Sequence, residues 1–389
     1  MVRGGIRGAP RGRGGLMRGG IPPSARRFPK YVPHMRHPFD YVLSENVFPR
    51  VNPRPDEESY EQILLKRNEE LTPSEQDLTL IQGFVQKVQA VFDKLIISTG
   101  DPEIDIDETR AVGSFKKGVA IKGEKSADLV IIFKSLPTKE AVNWVATKVL
   151  TEIKAGEAPR NKAGFKMETK EHGFDLINKG LILRCLVTTV HSNLKQLTPE
   201  VHIALAVCKL HLLAYKHVHW FDVNAQNDVV KALVRIMRDL KKRFDGFAAL
   251  NPWMIELLVH SSVIQPPRKP LTIGVGFRRI IELLASGIFI TGSSSITDPC
   301  DVNSARVHAS LDQEKQDLVC YTAQTLIRIL AHGGLETVLR GSSNLTQDTT
   351  VWNGVVVVPL EKVYEKPAEK TSESSDSMET DEAAAAMET

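Results

Sequence analysis

Apolar residues return at helical spacing through Leu78, Ile81, Val85, Val88, Phe92 and Leu95, which predicts a long amphipathic helix packed on a sheet. Its start is marked by Thr72-Pro73-Ser74-Glu75, with Thr read as the N-cap, Pro at the first helical position and Glu at the third. A shorter helix over Glu57–Glu70 precedes it. The period then changes. Glu108–Val112, Ala127–Phe133, Phe174–Ile177 and Leu181–Val190 are short apolar runs that read as strands. Pro137-Thr138 closes the second run and opens a helix through Val149, while Lys154–Lys170, polar and Gly-containing, reads as a connecting loop.

From Pro199 onward the pattern is helical. It predicts segments over Glu200–His219, around Val229, Val230, Leu233, Met237 and Leu240, from Pro252-Trp253, over Leu271–Ser286, and over Leu311–Ala331 with a stop at His332-Gly333-Gly334. Trp352–Pro359 reads as a short terminal strand. The fold class that follows is α+β, a sheet lobe followed by an all-helical lobe. The expected organisation is a disordered Arg-Gly-rich arm over 1–37, an α/β lobe over 38–195, a helical lobe over 196–360 and a disordered acidic tail over 361–389.

The stretch Val112–Phe133 carries the candidate chemistry. Gly113-Ser114 is followed, after eleven residues, by Ser126-Ala127-Asp128. Nucleotidyltransferases resemble this: a Gly-Ser pair ends a strand and opens a helix, and an Asp-x-Asp stands on the next strand. Residues i and i+2 of a strand face the same way. Two carboxylates so placed hold a pair of metal ions that clamp the attacking and leaving oxygens. Here the first acid is Ser126, neutral and short. A third acid normally comes from a neighbouring strand; Leu181–Val190 contains none, and spacing puts that position near Thr188. The degenerate site is therefore Gly113, Ser114, Ser126, Asp128 and Thr188, with Asp128 as its one carboxylate. Nucleotide binding without turnover stays open through Ser114 and Lys116, with Lys117 adding charge, because a glycine turn and a helix N-terminus favour phosphate.

Charge is uneven rather than high. The net value is +3, yet residues 1–30 hold eight basic side chains and no acid, and residues 361–389 hold nine acids against three lysines. The body, with 39 basic and 38 acidic side chains, is not a strongly basic nucleic-acid domain. RNA contact is therefore expected from the arm, through Arg3, Arg7, Arg11, Arg13 and Arg18. A second basic surface, Lys231, Arg235, Arg238, Lys241 and Lys242, reads either as an RNA-facing stripe or as a solvated helix face. Cys185, Cys208, Cys300 and Cys320 lack paired spacing, which suits a reducing compartment and implies neither a disulfide framework nor a zinc ribbon. His211, His217 and His219 lie close together, but no acid or cysteine completes a convincing metal set, so no metal is expected. No apolar run reaches the roughly 18 residues of a membrane span, and no signal peptide is visible.

Beyond the signature, the chain resembles the DZF-domain family. The resemblance rests on F-P-R-V at Phe48–Val51, L-L-K-R-N at Leu64–Asn68, V-G-S-F-K-K-G at Val112–Gly118, A-D-L-V at Ala127–Val130, I-T-D-P-C at Ile296–Cys300 and the run from Asp317 to Leu330. It spans essentially the whole chain. It implies a pseudo-nucleotidyltransferase without activity or cofactor, pairing through its helical lobe with a larger DZF protein that bears double-stranded-RNA-binding domains, or with zinc-finger DZF proteins. It implies a nuclear complex, extending to nucleolus and cytoplasm, that binds RNA and DNA in transcription regulation and RNA metabolism. The alternatives are a nucleotide-binding module and a residual active nucleotidyltransferase.

Overall fold

The computed structural model describes residues 38–45, 47, 57–97, 105–265, 269–341 and 343–361. The readings of 1–37 and of 362–389, including the five arm arginines, lie outside these residues. The described chain begins with α1 (Tyr41–Ser44), capped by Asp40, whose carboxylate also accepts from the Arg279 guanidinium at 2.6 Å. Helix α2 (Glu57–Leu71) and helix α3 (Glu75–Ile97) follow. The cap between them is Ser74, whose Oγ accepts the Asp77 amide at 3.1 Å, and not Thr72 as the sequence suggested. Thr72 instead donates its hydroxyl to Asn68 O, because α2 ends just before it. The predicted stripe of α3 holds: Ile81, Val85, Val88, Phe92 and Leu95 are all buried.

Strand β1 (Ile106–Val112), the single turn α4 (Gly113–Lys116) and strand β2 (Ser126–Phe133) form the signature. Helix α5 (Lys139–Ala155), capped by Thr138, and the turn α6 (Pro159–Lys162) lead to β3 (Phe165–Lys170), β4 (Gly173–Asn178) and β5 (Leu181–Thr189). Among the described residues these five strands form one mixed sheet in the order β1-β2-β5-β4-β3, with β2 and β5 parallel and the other pairs antiparallel. Strand β3 corrects the loop expected over Lys154–Lys170. It is an edge strand of sequence F-K-M-E-T-K that buries only Phe165, so its apolar signal is weak.

Alternation along β2 and β5 divides the sheet into two faces. Ala127, Leu129, Ile131, Leu183, Cys185 and Val187 pack under α3 and α5. Val130, Ile132 and Leu186 face α7 (Leu205–Asn224). The helical lobe is built from α8 (Asp228–Arg243), α9 (Pro252–Val263), α10 (Ile273–Ala285), α11 (Gln313–Ala331) and α12 (Leu335–Arg340). The expected terminal strand is a hairpin, β6 (Thr350–Trp352) and β7 (Val355–Val357), turning at Asn353-Gly354, both at positive φ.

The spatial lobes cross the boundary read at 195/196. Leu64 and Leu71 of α2 are buried in the helical core, as are Val119 and Ile121 of the loop after α4. Arg67 bonds Asp239 and Glu70 bonds Arg340, fixing α2 to α8 and α12. In the other direction α7 belongs with the sheet: Thr188 Oγ1 donates to Cys208 O at 2.9 Å, and the His211 ring lies 2.6 Å from Val187 O. Sequence order misassigned both helices because an amphipathic stripe shows that a partner exists and not which one. No helix among the described residues is long and apolar enough to cross a membrane.

Candidate functional site

The Gly113 turn sits directly on the Asp128 carboxylate. Val112 and Asp128 are paired across β1 and β2, and Gly113 follows at φ +74°. A Cβ at Gly113 would stand 2.1 Å from Asp128 Oδ2, so both backbone conformation and space require glycine there. Ser114, the second residue of the single turn α4, is half-buried beside it. Ser126 and Asp128 point to the same face of β2, the side that α7 leaves partly open.

Register decides what stands beside Asp128. In the parallel β2–β5 pair, its partner is Arg184. Arg184 Nε donates to Asp128 Oδ1 at 2.5 Å. On the next strand Asp175 is paired with Arg184, and His172 Nε2 lies 2.9 Å from Asp175 Oδ1. A row Asp128–Arg184–Asp175, with His172 at its end, thus crosses three strands. Burial pushes the Asp128 carboxyl above its ordinary value, against the opposing pull of Arg184 and His172.

Thr188 is not in this row. It pairs with Ile132, is fully buried under α7 and spends its hydroxyl on Cys208 O. Register puts Arg184, and not Thr188, beside Asp128. The two lysines of the turn also part company. Lys116 is half-exposed and 3.7 Å from Asp222 of α7. Lys117 is buried, bonded to Glu256 at 2.6 Å between the rings of Phe221 and Trp253, so it adds no charge at the turn's surface. Arg184, Asp175 and His172 escaped the sequence reading. One signal was present: Arg184 is the only charged residue in Leu181–Val190.

The basic surface of α8 is neither solvated nor turned to a ligand at its central positions. Arg235 donates to Gly118 O at 2.6 Å and to Asn68 Oδ1 at 2.9 Å. Arg238 bonds Val119 O and Glu124, and Lys242 bonds Glu124 at 2.9 Å. These cations clamp the loop after α4 onto the helical lobe. Beside the turn, on the α3 side of β1, an open cleft of about 840 Å³ is lined by Gln82, Gln86, Gln89, Arg110, Phe115 and Lys116. Lys116, the candidate nucleotide-binding lysine, lines this cleft, whereas Asp128 is not among its lining residues.

Residues 17–226 match the DZF N-terminal domain and residues 229–358 the DZF C-terminal domain. Among solved structures, the CdnC:HORMA-deltaN complex of E. coli MS115-1 is similar at a TM-score of 0.54 and 12% identity, covering 73% of this chain and 97% of that one. CdnC with ATP, also from E. coli MS115-1, gives 0.50 and 12%, covering 73% and 98%. At this identity the likeness shows fold alone: a nucleotidyltransferase-like sheet lobe followed by a helical region.

Proposed function

The chain belongs to the DZF family, and on that premise we propose that it is a catalytically inactive nucleotidyltransferase-like subunit. One observation carries the proposal. Where a third acid would complete a metal cage, Arg184 presents a guanidinium to Asp128. Two-metal catalysis needs carboxylates facing the ions. Ser126 supplies none, and a cation bonded to the remaining carboxylate repels the ions that carboxylate would hold. The Gly113-Ser114 turn keeps the scaffold's shape without its charge.

Without chemistry of its own, such a scaffold serves as a partner. Within the family we read the chain as the smaller subunit, paired through its helical lobe with a larger DZF protein that carries double-stranded-RNA-binding domains, or with a zinc-finger DZF protein. In that assembly it acts in the nucleus on RNA and DNA, in transcription regulation and RNA metabolism. The near-neutral body supports a division of labour in which the partner's domains and the Arg-rich arm hold nucleic acid.

The test has two arms. Full-length protein incubated with labelled nucleoside triphosphates, RNA and Mg²⁺ or Mn²⁺ is expected to form no product; product that disappears in Asp128→Ala overturns the inactive reading. Affinity capture from nuclear extract with mass spectrometry is expected to return a DZF protein with RNA-binding domains. Recovery of the chain without any DZF partner overturns the pairing.

A further inference from the structure

We propose that His217, Asp298 and Cys300 form a zinc-binding site that fastens α7 to the loop between α10 and α11. One ligand atom from each residue lies within 4.8 Å of the other two. Tetrahedral zinc with bonds of about 2.0–2.3 Å needs donors roughly 3.3–3.8 Å apart. The donors are thus at most about 1.0–1.5 Å farther apart than zinc requires. The donor types are also right: imidazole, thiolate and carboxylate together suit zinc, whereas calcium and magnesium take oxygen alone. A thiolate and a carboxylate bring two negative charges to a dication, so the loaded centre is neutral, as a half-buried site requires.

A second observation points to a ligand. His217 Nε2 is buried and has no hydrogen-bond partner. An unsatisfied buried nitrogen is destabilising unless something fills its lone pair or takes its proton. The ring is held rigidly, stacked on Trp253 at 3.9 Å between centroids and 11° between planes. The neutral imidazole is the form that ligates metal.

The other two ligands are preset by their loop. Cys300 donates its amide to Asp298 Oδ1 at 2.8 Å, and Asp298 donates its own amide to Ala305 O at 2.8 Å. Thr297 and Arg306 close the base of the loop as a bridge. Cys300 also lines an open cleft of about 490 Å³ with Lys216, His219 and Trp220, through which a water can take the fourth coordination position. Burial and Asp298 push the Cys300 thiol up to about 11, so it carries its proton before metal arrives. On binding, the S–H bond breaks, the proton passes to solvent and the sulfur lone pair bonds the zinc, with no change of oxidation state. Lys117 and Lys216 lie near enough to act on Cys300. The charge of Lys117 is already balanced by Glu256, and Lys216 is exposed.

Sequence spacing hides the set, since His217 and Cys300 are neighbours in space but far apart along the chain. The C-terminal half of α7 already packs on the helical core through Phe221 and Trp220, so the metal would fasten that half to the 298–300 loop.

The test uses the full-length chain, reduced, stripped with a chelator and titrated with Co²⁺ and then Zn²⁺. We expect one equivalent of Co²⁺ to produce a sulfur-to-cobalt charge-transfer band, quench tryptophan emission through Trp253, and be displaced by Zn²⁺. Zn²⁺ should raise the unfolding midpoint. Cys300→Ala should lose the band and at least about tenfold in affinity, and Asp298→Asn should keep the band but bind more weakly. Circular dichroism verifies that each variant is folded. Absence of stoichiometric cobalt uptake by the folded wild type overturns the site. So does unchanged affinity in either variant.

Discussion

Arg184 and Asp128 hold each other at the open end of one sheet face, so removing the guanidinium leaves a carboxylate among apolar strands. Arg184→Gln is expected to push the Asp128 carboxyl further above its ordinary value of 3.8. A raised acid binds its proton more tightly in the folded state. The folded protein therefore loses stability as pH rises through the folded value, and nothing is lost below the unfolded one. The variant should match wild type near pH 3 and be weaker by about 1–2 kcal/mol at pH 7, the low end for a partner removed from a pair whose arginine is half-exposed. Urea unfolding at both pH values measures this, and a pH-independent difference would refute it. Gly113→Ala meets both left-handed backbone and the Asp128 carboxylate, for an expected loss of about 2–4 kcal/mol. Adding Asp128→Ala removes the collision, so the two losses should fall short of additive by about 1 kcal/mol. Gly113, Ser114 and Asp128 were legible because the signature lies within two consecutive strands. Arg184 was not: its place depends on the register of β2 against a strand more than fifty residues away, and local pattern carries no register across a crossover.

Between elements, the contacts are polar and buried as well as apolar. Lys117 at the end of α4 and Glu256 in α9 form a pair with side chains 7% and 4% exposed. Glu256→Ala leaves an unpaired buried ammonium and should cost about 3–5 kcal/mol. Replacing both residues by Met should restore most of that, as thermal or urea unfolding of the two variants will show. The α8 cations work at the same scale. Arg238→Ala is expected to free the 118–124 loop, raising amide exchange at Lys122, whose N–H bonds Leu71 O at 2.7 Å by about tenfold or more, the equivalent of roughly 1.4 kcal/mol. Unchanged exchange would show that the apolar plug of Val119 and Ile121 alone holds the loop. At this scale the sequence was readable where one face of an element is buried, as along α3. It was misleading where polarity meant pairing. Strand β3 looked like a loop because its exposed positions are polar, and α8 read as an RNA-facing stripe or a solvated face because its cations' acceptors, Gly118 O and Val119 O, are backbone atoms that no side-chain pattern reveals.

At the scale of the whole molecule, the described residues form one compact unit. The two lobes exchange parts: α2 and the loop after α4 go to the helical core, and α7 goes to the sheet. A fragment cut at the sequence boundary, residues 1–195, would keep Leu64, Leu71, Val119 and Ile121 but lose the core that covers them. It should aggregate on refolding, measured by light scattering, while the intact chain should unfold in one transition by both circular dichroism and fluorescence. A soluble, folded fragment would contradict this. The swap also sets a timetable for biogenesis. Helix α2 leaves the ribosome early, whereas the helices that shelter it, α8 to α12, emerge some 160 to 270 residues later. At cellular elongation rates that delay is on the order of ten to fifty seconds. For that interval a nascent chain displays a greasy stripe with nowhere to rest, so the tightness of the finished fold imposes a dependence on chaperones during translation.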